Sequence, residues 1–203
     1  MTADPYAALA QADPVLGQLI ERNGSADPFT FDDGGRTAGS NFAGMAMHII
    51  AQQISTTVAL VIFDRVAAAA GGTLTPEGIL ALSVEQLRAL GTSNSKAAYL
   101  RALAEAVRSG TLPIETLDSL TDQEAIDELT AVKGIGPWSA QMFLIHQLGR
   151  QDILPAGDLG IRLAVQRAYA LPETPSIEDV RRRGEAWSPY RTYAAGVLWR
   201  SLR

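Results

Sequence analysis

Apolar residues recur at helical spacing along almost the whole chain, and no stretch alternates as a strand would. Asp13-Pro14 reads as an N-cap followed by proline at the first helical position, opening a short helix through Leu16, Leu19 and Ile20. Asn23 to Gly39 is a loop rich in Gly, Asp and Pro and the best candidate for an internal boundary. Its Phe29 and Phe31 read as local packing. Ser40 caps a long apolar helix that runs to Ala70, is interrupted at Gln52-Gln53 and stops at Gly71-Gly72. Being apolar on most sides, it is expected at the centre of the fold. Thr75-Pro76 opens a short helix, and Ser83 with Gln86 forms a capping box leading into Leu87 and Leu90. Ser93 to Ser95 precede an amphipathic helix through Tyr99, Leu100, Leu103 and Val107 that ends at Gly110. A second capping box, Thr121 to Glu124, leads into Ile126, Leu129 and Val132. Later helices are expected from Pro137 to Gly149, after Asp158, after Ser176 and from Ser188-Pro189 to the end. No repeat and no low-complexity segment is present. The pattern predicts an all-α fold.

The pattern breaks most sharply at Val132-Lys133-Gly134-Ile135-Gly136-Pro137-Trp138. Two glycines can take φ > 0 and make a tight hairpin, and Pro137 suits the first position of a new helix. The unit is helix, hairpin, helix. Backbone N–H groups at a glycine turn that opens a helix suit an anion, and the phosphate of a nucleic acid is the obvious one.

Composition narrows the chemistry. The 203 residues are 47% hydrophobic, enough to bury a core. There is no cysteine, which excludes disulfides, iron–sulfur ligation and thiolate zinc sites. The two histidines, His48 and His146, stand in no metal-ligand motif. No apolar run reaches membrane length and no signal pattern opens the chain, so a soluble, cytoplasmic protein is expected. A net charge of −5 argues against coating DNA by bulk charge. The charges are uneven, however: acids crowd the N-terminal end, while Arg162, Arg167, Arg181, Arg182, Arg183, Arg191 and Arg200 crowd the other. Arg181 to Arg183 read equally well as a basic face or as an ordinary solvated helix surface.

VKGIGPWSAQMFL followed by LPAGDLGIR resembles the helix-hairpin-helix DNA glycosylases, and among them the 3-methyladenine DNA glycosylase II (AlkA-type) family. FAGMAMHIIAQQIS, KAAYLRALA and the terminal WSPYRTYAAGVLWR extend the resemblance from Phe42 to Arg200. It implies one catalytic core over 1–203, made of two helical lobes with a cleft between them: 35–147, and 1–34 with 148–203. A compact member without the N-terminal β domain of some relatives is expected.

The resemblance also implies roles. By position alone Asp158 is an ordinary N-cap; the matched LPAGDLGI context makes it the catalytic carboxylate, which would stabilise an oxocarbenium-like sugar and orient water. Trp138 stands where bifunctional relatives carry a Schiff-base lysine, and Lys133 lies on the other side of the hairpin glycines, so hydrolysis without strand cleavage is expected. Trp138 and Trp199, with Phe42 as a third candidate, would border a pocket for a flipped, cationic alkylated purine. Core packing is the competing use of each, and the favoured one for Phe42. Gln53 would wedge into the gap left by the flipped base, although a polar wedge is weaker than an apolar one. Amides of Gly134, Gly136 and Ser139 would hold phosphate, and carbonyls of Thr130, Val132 and Ile135 a sodium or potassium ion; no other cofactor is implied. The expected partner is double-stranded DNA with alkylated bases, bound by a monomer. The competing reading is a non-catalytic helix-hairpin-helix module that only holds DNA.

Overall fold

The computed structural model describes residues 4–25, 27–37 and 39–202. Among them every regular element is a helix, as the apolar spacing predicts, so the fold is all-α. The chain forms two compact units, Phe31–Phe143 and Met1–Thr30 with Leu144–Arg203. The divisions expected after 34 and 147 therefore follow Thr30 and Phe143 instead. Side-chain contacts explain the first of these. The buried Asp33 accepts from the Gly35 and Thr37 amides and the Thr37 hydroxyl, closing the loop on itself. Arg36 then forms a two-toothed ion pair with Asp64, and Phe31 lies against His48. Residues 31–37 thereby belong to the helices that follow them.

Helix α1 (Pro5–Ala12) opens with Asp4 as its cap and proline at its first position. The expected helices begin only at Asp13, so α1 is an addition. Asp13 ends α1 and caps α2 (Pro14–Asn23), accepting from the Val15 amide at 3.0 Å and the Leu16 amide at 3.4 Å. Its other oxygen accepts the Tyr169 hydroxyl and, at 2.9 Å, the Trp187 indole N–H.

The expected helix from Ser40 to Ala70 is two helices, α3 (Asn41–Ala51) and α4 (Thr56–Ala69). Residues 42–50 are all buried, so α3 is central as expected. On α4 only Ala59, Ile62, Phe63 and Val66 are buried, while Val58 and Val61 are about half exposed. The break lies at Gln52-Gln53, where the apolar run is interrupted; Gln53 takes φ 59° there, and Ser55 caps α4 anew.

Three helices follow at their expected caps: α5 (Pro76–Ala81) at Thr75, α6 (Val84–Ala89) at the Ser83–Gln86 box and α7 (Asn94–Arg108) at Ser93. A 3₁₀ turn (Ile114–Ser119) brings Glu115 to the N-terminus of α3, where it accepts from the Asn41 and Phe42 amides. Helix α8 (Asp122–Thr130) starts at the Thr121–Glu124 box and α9 (Pro137–His146) at its proline.

Helix α10 (Leu159–Ala168) is capped by Asp158, and α11 (Ile177–Gly184) by Ser176 in a box with Asp179. A 3₁₀ turn (Glu185–Trp187) leads to α12 (Arg191–Arg200). Ser188-Pro189 does not open this last helix, contrary to the pattern. The Ser188 hydroxyl donates to Asp152 rather than capping, and the peptide is cis. Leu9 and Leu16 share one core with Leu154, Ile161, Val165, Val180, Trp187 and Leu198, which closes the Met1–Thr30 and Leu144–Arg203 unit.

Asp13 joins the two segments of that unit. Burial alone would raise its pKa, but the hydrogen bonds from Tyr169, Trp187, Val15 and Leu16 outweigh burial and hold it below the usual carboxylate range. A depressed folded pKa stabilises above the unfolded value of about 4, and that stabilisation is lost as pH falls through the folded pKa. Asp13→Asn keeps the cap but strands a donor, so it should cost about 2 kcal/mol at neutral pH. The deficit relative to wild type should narrow below about pH 4. Denaturant melts of both proteins across that range measure it.

Candidate active site

The loop from α9 to α10 carries Asp158, and the start of α12 clamps that loop. Asp152 receives Arg191 through Nε at 2.7 Å and Nη2 at 2.8 Å, the Arg191 amide at 3.2 Å and the Ser188 hydroxyl at 2.8 Å. Burial works against its ionisation, but these donors outweigh burial and keep its pKa below the usual range. The wholly buried Thr192 accepts from the Ile153 amide at 2.9 Å and donates to the Arg150 carbonyl at 2.7 Å. Its own amide donates to Gln151 at 3.0 Å. Residues 150–153 are thus fixed at both edges, and WSPYRT is the segment that fixes them.

Asp158 is half-buried at the first turn of α10. Its Oδ1 accepts from the Ile161 amide at 2.9 Å and from the Trp199 indole N–H at 3.0 Å. The cap and the functional reading therefore coexist on one side chain: two donors fix the plane of the carboxylate. Gly160 makes room for this. A Cβ there would lie 2.9 Å from Asp158 Oδ1 and 3.5 Å from Trp199. The sequence shows Gly160 inside LPAGDLGIR, but nothing in local spacing marks it as the residue that lets the pair form.

The second group of expected residues lies in the Phe31–Phe143 unit. Gly134 is left-handed, at φ 97°, and the Ile135 amide closes the turn on the Val132 carbonyl at 3.1 Å. Of the two glycines that can take positive φ, Gly134 alone does so. Gly136 has an ordinary φ, and a Cβ added there meets nothing within 4 Å. A Cβ on Gly134 would lie 2.1 Å from the Tyr99 ring of α7, which packs directly on the turn. The Gln52 amide nitrogen donates to the Gly134 carbonyl at 3.1 Å and lies 3.2 Å from the Ser139 hydroxyl. Ser139 is buried, so its side chain faces inward. Thr130 turns its hydroxyl back onto the Ile126 carbonyl at 2.8 Å, and the side chains of Val132 and Ile135 are buried.

Trp138 is 39% exposed on the first turn of α9, unusual for a tryptophan, and Gln53 is exposed at its left-handed turn. For Phe42 the structure agrees with core packing, the favoured of its two uses, and not with the pocket. At 2% exposure on a helix buried all round, it packs as core and offers no face to a base. The structure thus pairs Asp158 with Trp199 in one unit and joins the Gln52-Gln53 turn to the hairpin in the other. Gln52 was missed because its neighbour Gln53 carries the same residue type and the more visible role.

The HhH-GPD superfamily base excision DNA repair protein family matches residues 46–189. The chain belongs to that superfamily. The match takes in the hairpin, Gln53, Trp138 and Asp158; Trp199 and Phe42 lie outside it. DNA-3-methyladenine glycosylase 1 of Schizosaccharomyces pombe is 38% identical over 158 residues, 76% of this chain and 69% of that protein. Two further curated relatives are spanned by only 44% and 59% of their own length. The solved structure of the Schizosaccharomyces pombe 3-methyladenine DNA glycosylase with abasic DNA superposes with a TM-score of 0.84 at 32% identity, over 97% of this chain and 95% of that one. A Clostridium acetobutylicum 8-oxoguanine glycosylase/lyase shares the superfamily fold at 18% identity, with a TM-score of 0.78 over 98% of this chain and 69% of that one.

The glycine geometry gives a paired test. Gly134→Ala strains the backbone and drives a methyl into Tyr99, so it should destabilise by roughly 3 kcal/mol. Gly136→Ala should change stability by less than about 1 kcal/mol. Equal melting losses in the two variants would contradict this assignment of the turn.

Proposed function

We propose that this chain is a monofunctional DNA glycosylase that hydrolyses the N-glycosidic bond of alkylated purines, of the 3-methyladenine type, in duplex DNA. The Asp158–Trp199 pair carries the reading. A module that only holds DNA has no use for a carboxylate fixed by an indole and a helix amide, with a glycine kept clear for both. Breaking the glycosidic bond leaves positive charge on the sugar, and a fixed carboxylate stabilises that charge without reorganising. Water adds to C1′, the base departs with the bonding electrons, and Asp158 receives or orients the water's proton. A purine alkylated at N3 or N7 is already cationic, so it leaves with little acid assistance. The exposed face of Trp138 suits such a cation, and the Trp199 ring is fixed to Asp158 through its indole N–H.

The remaining roles follow the same reading. Gly134, Gly136 and Ser139 offer amides to a phosphate, and Gln53 fills the space of the flipped base. The carbonyl groups of Thr130, Val132 and Ile135 form an all-oxygen set suited to a hard monovalent cation. Val132 O accepts one hydrogen bond, from Ile135, and retains a second lone pair. The protein acts as a monomer, with water as co-reactant.

Asp158→Asn tests the mechanism. Asparagine caps about as well as aspartate, so folding and affinity for abasic duplex should be retained. Single-turnover base release should fall roughly a hundredfold or more; wild-type release from a folded variant would reduce Asp158 to a cap.

With Trp138 in place of a Schiff-base lysine, borohydride should trap no covalent protein–DNA adduct during turnover. An adduct would show lyase chemistry.

Replacing sodium and potassium by choline at constant ionic strength should weaken duplex binding at least severalfold. Unchanged binding would remove the cation.

A further inference from the structure

Gln53 is exposed and held at φ 59°, between α3 and α4. Glycine visits that region freely and asparagine or aspartate occasionally; glutamine stays there only if its surroundings hold it. Two side chains hold this turn. Lys96, in the first turn of α7, donates Nζ to the Ile50 carbonyl at 2.8 Å. That carbonyl lies in the last turn of α3, where carbonyl groups lack helical partners and a cation is favoured. Gln52 reaches the other way, to the Gly134 carbonyl and the Ser139 hydroxyl across the hairpin. Tyr99 stands three residues after Lys96 on α7 and packs on Gly134. Residues at that spacing share a helix face. One face of α7 therefore backs both the Gln53 turn and the hairpin, and Gln52 ties the two together.

We propose that Gln52 and Lys96 are positioning residues that lock the Gln53 turn to the hairpin, so that seating a phosphate and inserting Gln53 into the base stack are one rigid event. This rests on the roles proposed above for Gln53 and the hairpin. Without the ties the hairpin still holds phosphate, but the turn relaxes out of the left-handed region and Gln53 no longer enters the stack at a fixed height. The cost falls on flipping and not on backbone affinity.

Gln52→Leu and Lys96→Met remove the donors while keeping most of the side-chain volume; Lys96→Arg restores a cationic donor. The probe is a duplex with a tetrahydrofuran abasic analogue next to 2-aminopurine, whose fluorescence reports the stack beside the gap. All proteins are compared well below their melting temperatures. Affinity for undamaged duplex should stay within about twofold of wild type, because phosphate contacts carry it. The 2-aminopurine signal should fall toward that of Gln53→Ala. Single-turnover release from alkylated DNA should drop roughly ten- to a hundredfold, the scale of a small misplacement. Lys96→Arg should recover most of both. If Gln52→Leu does not fold, Lys96→Met with its arginine rescue carries the test. Wild-type fluorescence and release in the folded Gln52 and Lys96 variants, with a clear loss in Gln53→Ala, would overturn the positioning role alone. A Gln53→Ala protein with full signal would instead remove the wedge reading, and this proposal with it.

Discussion

An α-helix ends with backbone groups that its own hydrogen bonds do not reach, and something else must satisfy them. Much of this structure's organisation follows from how its helix ends are completed. Asp158 fills the N-terminus of α10 and, with the same oxygen, receives Trp199. Asp13 fills the N-terminus of α2 and gathers Tyr169 and Trp187. Glu115 serves α3 from a distant turn, and Lys96 serves its other end. The hairpin between α8 and α9 is a helix end of the same kind, whose amides suit an external anion. In the function proposed, capping and chemistry draw on the same groups.

This explains what was legible in the sequence and what was not. Caps are local: Asp13, Ser55, Ser93, the three boxes and Asp158 each bond within a few residues, so spacing alone finds most of them. The second oxygen of Asp13 and the indole on Asp158 come from 156 to 174 residues and from 41 residues away, and no periodicity encodes such partners. The same limit hid Gln52 and Lys96. Gly160 is a different failure, because its value lies in the volume it leaves empty. For Phe42 the apolar run around it already marked a core helix and favoured packing over a pocket, and it is buried there.

The divided helix α3–α4 shows how polar interruptions should be weighed. By hydrophobicity the run from Ser40 to Ala70 reads as one helix with an interruption at Gln52-Gln53. Two adjacent glutamines cost little helix propensity and do not by themselves break a helix. The break is made by tertiary bonds, from Lys96 behind it and through Gln52 to the hairpin, and is then sealed by Ser55 as a new cap. Gln53 is left with nothing to do inside the unit, which is why it is exposed.

Net charge bears on the same point. The Phe31–Phe143 unit holds the hairpin and also the acidic run from Glu115 to Glu128, so long-range attraction does not draw DNA to it. The backbone grip proposed would solve this, because amide N–H groups at a turn act over a few ångströms and are indifferent to the field beyond. Such a grip is only as good as the geometry of the turn. Gly134, pressed on Tyr99, is the residue on which that geometry depends, while Gly136 is free of such constraint. A protein that held DNA by shape at one turn would need rigidity there more than positive charge, and the packing of Tyr99 on Gly134 is where this turn is rigid.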